Sequence, residues 1–175
     1  MAKARRNLLA GRLAEHLVCA ELARLELIAT TFTHNVPFYD VIATDEECRS
    51  IPIQVKASRD KYWRTAADNW MHTTFIEDEK IQKFEGKKKL STLSPLWVCV
   101  AVGASRIDDQ FFIMTQDQLQ EVVIRNYTQE LDRLSGKRPK NWQALDSWWS
   151  TEDIATFKDN WQIVIDRLAT TPPTV

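Results

Sequence analysis

The chain has 175 residues, 44% of them hydrophobic, enough for one substantial core; this favours a single domain over 1–175 with a Trp-rich C-terminal extension from about 135. A formal net charge of −1 excludes a globally basic nucleic-acid binder, although a local basic face remains open because steering depends on how charge is distributed. The three cysteines (Cys19, Cys48, Cys99) are widely spaced and unpaired with histidines, which argues against a disulfide framework or a zinc site and for a reducing, cytoplasmic setting.

No apolar run is long enough for a membrane span, and none follows the charged N-terminus as a signal peptide requires. Residues 8–27 read as an amphipathic helix, with Leu13, Leu17 and Leu25 joining Ala10, Ala14 and Val18 at helical spacing. Glu15 lies among small and apolar neighbours in this run. One turn earlier Gly11, a poor helix former, offers a place of close approach.

An extended segment, 28–33, precedes two strands, 38–43 and 51–58, joined by the polar hairpin loop 45–49. Alternation on the second strand sends Ile51, Ile53, Val55 and Ala57 to one face and Gln54, Lys56 and Ser58 to the other. With Asp40 on the neighbouring strand, the polar face offers two oxygen ligands for a hard cation and a lysine beside them. That is the chemistry of metal-assisted phosphodiester hydrolysis.

Further along, 59–69 reads as an irregular connection, 70–76 as a strand and 77–90 as a short helix broken at Gly86. The apolar run 95–102 predicts a strand buried on both faces, and 111–114 another. Thr115-Gln-Asp-Gln has the capping-box pattern, so a helix should run from there to about Leu134, ending in the basic loop 135–139. A last helix is expected around 152–159, and 171–174 as a frayed tail.

Basic residues cluster at Lys3, Arg5 and Arg6, at Arg59, Lys61 and Arg64, at Lys87, Lys88 and Lys89, and at Lys137, Arg138 and Lys140. Of these, Arg5, Arg6, Lys61, Arg64, Lys87, Lys88 and Lys89 are candidate DNA contacts. Ser58 offers a hydroxyl to a phosphate, and Trp63, set among charges next to Tyr62, offers a stacking surface. His16, His34 and His72 have no partners at catalytic spacing and read as satisfied or exposed. The C-terminal tryptophans suit a core or a subunit interface.

Taken in order, the helix with Gly11-x-x-x-Glu15, Asp40-Val41, and Gln54-Val55-Lys56 resemble the PD-(D/E)xK nuclease superfamily, over roughly 11–102. Its members look alike in a helix glutamate, an aspartate on the second strand and a (Glu/Gln)-x-Lys on the third. The chain resembles intron-homing and Holliday-junction-resolvase-like branches, and some active branches, including an intron-homing one, carry Gln where most have Glu. Two departures stand out: Tyr39, not proline, precedes Asp40, and Gln54 replaces the usual acid.

The resemblance implies a restriction-endonuclease-like α/β fold, a mixed central sheet flanked by helices. It implies an endonuclease that uses Mg²⁺, or Mn²⁺, to hydrolyse DNA phosphodiesters. Asp40 would be the main metal ligand, with Glu15 direct or through water, the Gln54 side-chain carbonyl and the Val55 backbone carbonyl. Lys56 would orient or deprotonate the attacking water, or act electrostatically on the phosphate. DNA is the implied partner, and a homo-oligomer, a dimer or higher, suits the cutting of both strands. The rival readings are a nuclease-fold protein that binds DNA or a protein partner without cleaving, and an interaction protein docking through its Trp-rich C-terminal third.

Overall fold

The computed structural model describes residues 2–33, 36–90 and 95–173. His34 and the end of the expected tail lie outside them. The first helix, α1 (Ala2–Arg24), is rich in Ala, Leu, Arg and Glu, all good helix formers. Its buried stripe is a ladder at spacing four, Ala10, Ala14, Val18 and Leu22, while Leu13, expected inside, is exposed. The helix closes where Glu26 turns to φ 61 and the Leu27 N–H reaches back to the Leu22 carbonyl at 3.1 Å.

Five strands make the central sheet: β1 (Ile28–Thr31), β2 (Val41–Thr44), β3 (Ser50–Ser58), β7 (Leu96–Ala101) and β8 (Gln110–Met114), side by side in that order. All neighbours are antiparallel except β3 and β7, so the sheet is mixed. The β2–β3 hairpin is tied by Asp45, which accepts from the backbone of Glu47 and Arg49 and from the Arg49 side chain at 2.7 Å. Burial works against it, but these bonds and the Arg49 charge hold the Asp45 carboxyl below its usual range.

One face of the sheet (Val41, Ala43, Ile53, Val55, Val98, Val100, Ile113) packs against α1 and against Val164 and Leu168 of the last helix, α3 (Gln162–Ala169). The opposite face is covered only towards β7 and β8, where Cys99, Ala101, Phe112 and Met114 meet helix α2 (Gln116–Arg133). Thr115 caps α2 as its sequence predicts, exchanging bonds with Gln118. Towards β2 and β3 this second face, which carries Ile42, Pro52, Gln54 and Lys56, borders an open cleft.

Three expectations fail here, each because a partner distant in sequence decides the conformation. Within 59–69 lies a strand, β4 (Tyr62–Ala66), paired with β9 (Asp146–Ser150) so that Trp63 faces Trp149. In place of a helix over 77–90 there is a hairpin of β5 (Met71–Ile76) with β6 (Ile81–Lys87), turned at Lys80 with φ 54. Gln82 on β6 is buried, where its amide donates to the Ala144 carbonyl at 3.1 Å and accepts from the Tyr127 hydroxyl. The C-terminal helix is α3, beginning after the region expected, while 155–157 form only a single tight turn. Among the described residues no helix is long and apolar enough to cross a membrane.

Candidate active site

The site forms where β2 parts from β3. Strand pairing between them ends at Val41 opposite Ile53, closed by the Asp40 N–H donating to the Ile53 carbonyl at 2.9 Å. Asp40 thus sits one residue before β2, not within it. The chain turns sharply there, at Pro37-Phe38, with Phe38 at φ 80.

On β3 the backbone groups of Val55 point to the same side as those of Ile53. Strand β2 has already left, so the Asp40 carboxylate takes its place: Oδ2 accepts from the Val55 N–H at 2.8 Å and from the Gln54 side-chain amide. Oδ1 accepts no hydrogen bond among the described residues. The Val55 carbonyl lies beyond the last pair of the β2–β3 ladder. Asp40 thus keeps an oxygen without a hydrogen bond among the described residues, beside the Val55 backbone and a side-chain amide. A half-turn of that amide exchanges its N–H for its oxygen.

Such a set fits a hard, oxygen-seeking cation held by one carboxylate, a backbone carbonyl and water. Among the described residues no group of three His, Cys, Asp or Glu side chains gathers at one point. Glu15 is bonded instead to Arg12 at 2.8 Å, and Arg12 also donates to the Phe32 carbonyl at 3.1 Å. Phe32 follows β1 at the end of the sheet where Asp40 precedes β2, and its ring meets that of Tyr39 edge-on at 5.5 Å. Glu15 is thereby anchored at the right end of the sheet with Arg12 as its partner. Sequence reasoning missed Arg12, although its place three residues before Glu15 was a usable signal.

Lys56 is exposed on the cleft side of β3, its ammonium 5.6 Å from the centre of the Trp97 ring. Cation–π attraction of this kind holds a lysine without neutralising it. Trp97 stands beside Gln54 on β7 and was legible in the sequence only as part of an apolar run. The Trp63 indole N–H donates to the Lys56 carbonyl at 2.9 Å and fixes the strand.

The candidate DNA contacts divide. Trp63 is 4% exposed, stacked on Trp149, so it belongs to the core and offers no base a platform. Ser58 is buried too, because the chain turns after β3 and its hydroxyl accepts from the Asp60 and Tyr62 N–H groups. Lys87 pairs with Glu121 at 3.1 Å, and Lys88 donates to the Asp68 carbonyl. Arg64 lies over the Trp148 ring and 3.4 Å from Asp146. In the basic loop, Arg138 is bound to Glu130 and lies over Tyr127, a structural cation. Gly11 faces open space and brings nothing close.

Arg5, Arg6, Lys61 and Lys89 are exposed, and their side chains have no hydrogen bond or ion pair among the described residues. Arg6 shares a small polar pocket with Arg59, Asn7, Ser58, Asp60 and Tyr62 at the end of β3. Two clusters far apart in sequence thus meet there.

No protein-family model and no curated protein matches the chain. Among solved structures it is similar to a bacterial homing endonuclease, I-Ssp6803I, at a TM-score of 0.52 and 10% identity, over 92% of this chain and 94% of that one. At that identity the likeness establishes the nuclease-like α/β fold.

Proposed function

We propose that the chain is a metal-dependent DNA endonuclease of the PD-(D/E)xK type. The observation that carries this reading is the bonding of Asp40 to the Gln54 side chain and the Val55 N–H where β2 and β3 diverge, with Lys56 next along β3 and facing the cleft. Its fold, similar to that of a homing endonuclease, supports DNA as the substrate class. Asp40 and the Val55 carbonyl would hold Mg²⁺ or Mn²⁺, with Gln54 contributing its carbonyl oxygen. The bound ion would supply an acidified water and charge stabilisation at the phosphate.

The chain's own residues do the rest. Asp40, pinned by the Val55 N–H, is held in one orientation with an oxygen to spare. Lys56, exposed with its ammonium over Trp97, would reach towards the phosphate and orient the water that attacks it. Glu15 acts through its contact with Arg12, or through water, at the edge of the same site. Action in the cytoplasm and assembly as a homo-oligomer belong to the same proposal.

The test is supercoiled plasmid incubated with Mg²⁺ or Mn²⁺ and without either. Asp40→Ala and Lys56→Ala should each abolish cleavage while circular dichroism shows the fold intact. Equal nicking by wild type and both variants would sink the proposal. A second reading, a nuclease-fold protein that binds DNA or a protein partner without cleaving, is favoured by one observation: Gln54 turns its amide N–H, not its carbonyl oxygen, towards Asp40.

A further inference from the structure

The cleft beside Lys56 has a lining that a phosphate backbone does not call for. Its volume is about 910 Å³, within the range of roughly 300–1,000 Å³ typical of cavities that enclose small organic ligands. The walls are mainly rings and aliphatic groups, among them Phe38, Tyr39, Trp97 and Pro52. Besides Lys56 the cation at its edge is Arg64, already engaged by Asp146 and the Trp148 ring. A channel for duplex backbone would need many free cations along it.

Among the cleft-lining residues, three polar atoms are sealed from solvent without a hydrogen-bond partner among the described residues: the indole N–H of Trp149, which lies against the Cys99 thiol, and, with no such neighbour, the indole N–H of Trp97, a donor, and Oε1 of Gln116, an acceptor. Native proteins rarely leave buried polar atoms unpaired, and an occupant that supplies the missing partners recovers that cost. At the rim Phe38 is 81% exposed and held at φ 80, a backbone region that a bulky residue adopts only under strain. A large ring is thus held out in water beside an aromatic cleft.

We propose that this cleft receives an unstacked nucleobase next to the phosphate at Lys56, so that the preferred substrate is DNA with an unpaired or extrahelical nucleotide at the cleavage position. This rests on the nuclease reading for the identity of the ligand as DNA, and not on cleavage itself. A base has two flat faces that stack on rings regardless of sequence. Its edge carries acceptors and donors side by side, the complement of an indole N–H and an amide oxygen that both belong to the cleft lining. Both protein atoms lie beneath the cleft surface, and a base reaches them by shifting the two side chains, for which the open volume leaves room.

Fluorescence anisotropy of the full chain, without divalent metal, tests this on three labelled oligonucleotides of one sequence: a paired duplex, a duplex with a one-nucleotide bulge, and a single strand. One stacked base corresponds to about 5- to 150-fold in affinity, so the bulge should bind at least about fivefold tighter than the paired duplex. Tight binding of the bulge alone identifies an extrahelical base as the source, and equal tightness of the single strand identifies any unpaired strand. Trp97→Phe, which keeps a ring but removes the donor, and Gln116→Leu should each lower the ratio of unpaired to paired affinity severalfold. Equal affinity for all three oligonucleotides, or a preference unchanged in both variants, overturns the proposal. With Mg²⁺ added, equal cleavage of paired and bulged duplex keeps the nuclease reading and overturns this one. A preference for the bulge without any cleavage does the reverse.

Discussion

Gln54 spends its side-chain N–H on Asp40, and that contact decides how the protein should respond to a single substitution. Gln54→Glu puts a second carboxylate against Asp40 at nearly constant shape. Without metal the two negative charges repel, and one of the pair must titrate at raised pH. If Mg²⁺ binds as proposed, the extra charge would join its ligands, so calorimetry should show tighter binding than wild type, while Gln54→Ala should bind more weakly. Indistinguishable titrations for all three would remove Gln54 from the site. Strand alternation singles out Gln54 and Lys56 in the sequence as polar side chains on the otherwise apolar β3, whereas Asp40 sits one residue before β2 and is brought to them by the end of the hairpin ladder. Arg12 and Trp97 could not be found the same way: their roles depend on a helix meeting a strand end and on the register of β7 against β3.

At the scale of elements, the pocket at the end of β3 gathers Arg6 from α1 and Arg59 from the turn after Ser58. Neither guanidinium has a partner among the described residues, although the Asp60 carboxylate lines the same pocket. On the proposed nuclease function a DNA phosphate would be the third party. Arg6→Gln combined with Arg59→Gln should flatten the slope of log affinity against log salt by about 0.9 for each duplex phosphate that the variant no longer neutralises. A parallel line for the double variant would make this pocket plain solvated surface. Neutralising Lys87 and Lys88, which are tied to Glu121 and Asp68, should change the slope less. The elements themselves were legible in unequal measure. Helix α2 announces itself through Thr115 and Gln118, and β7 through an unbroken apolar run, both local signals. Strands β4, β6 and β9 give none. Ile81 and Phe84 even fall at helical spacing, and what overrides that pattern is the buried tie of Gln82 to Tyr127 and Ala144.

Over the whole molecule, two cores share one sheet, and groups buried in the second make stability depend on alkali. Burial pushes the Cys99 thiol up to about 12, against smaller pulls from Trp149 and Lys56. It raises the Tyr127 phenol likewise to about 12, with Arg138 opposing. The native state therefore keeps two protons that an unfolded chain begins to release near pH 9 and pH 10. Stability from this source is complete below those values and falls as pH rises towards about 12. Melting temperature should decline through that window, and Cys99→Ala, though less stable at neutrality, should show a shallower decline. A decline equally steep in wild type and variant would show that Cys99 takes no part. In the native protein a thiol reagent should modify exposed Cys48 readily and Cys99 only on unfolding.

The parallel pairing of β3 with β7 also sets an order of events during synthesis. A chain leaves the ribosome N-terminus first, so α1 and the β1–β2–β3 meander can assemble while Leu96–Ala101 is still to be made. Until it arrives, β3 presents a bare row of backbone donors and acceptors, a template for joining another chain. Lys56 meanwhile lacks the ring beside it, since Trp97 is on the missing strand. The finished sheet guards its outer margin differently: residues 158–160 bond along β8, through the bridge of Lys158 to Phe112, the Asp159 N–H to Phe111 and the Asn160 amide to Ile113. A nascent chain stalled before Leu96 would carry Asp40, Gln54 and Lys56 and yet be a partner for its own kind sooner than for DNA.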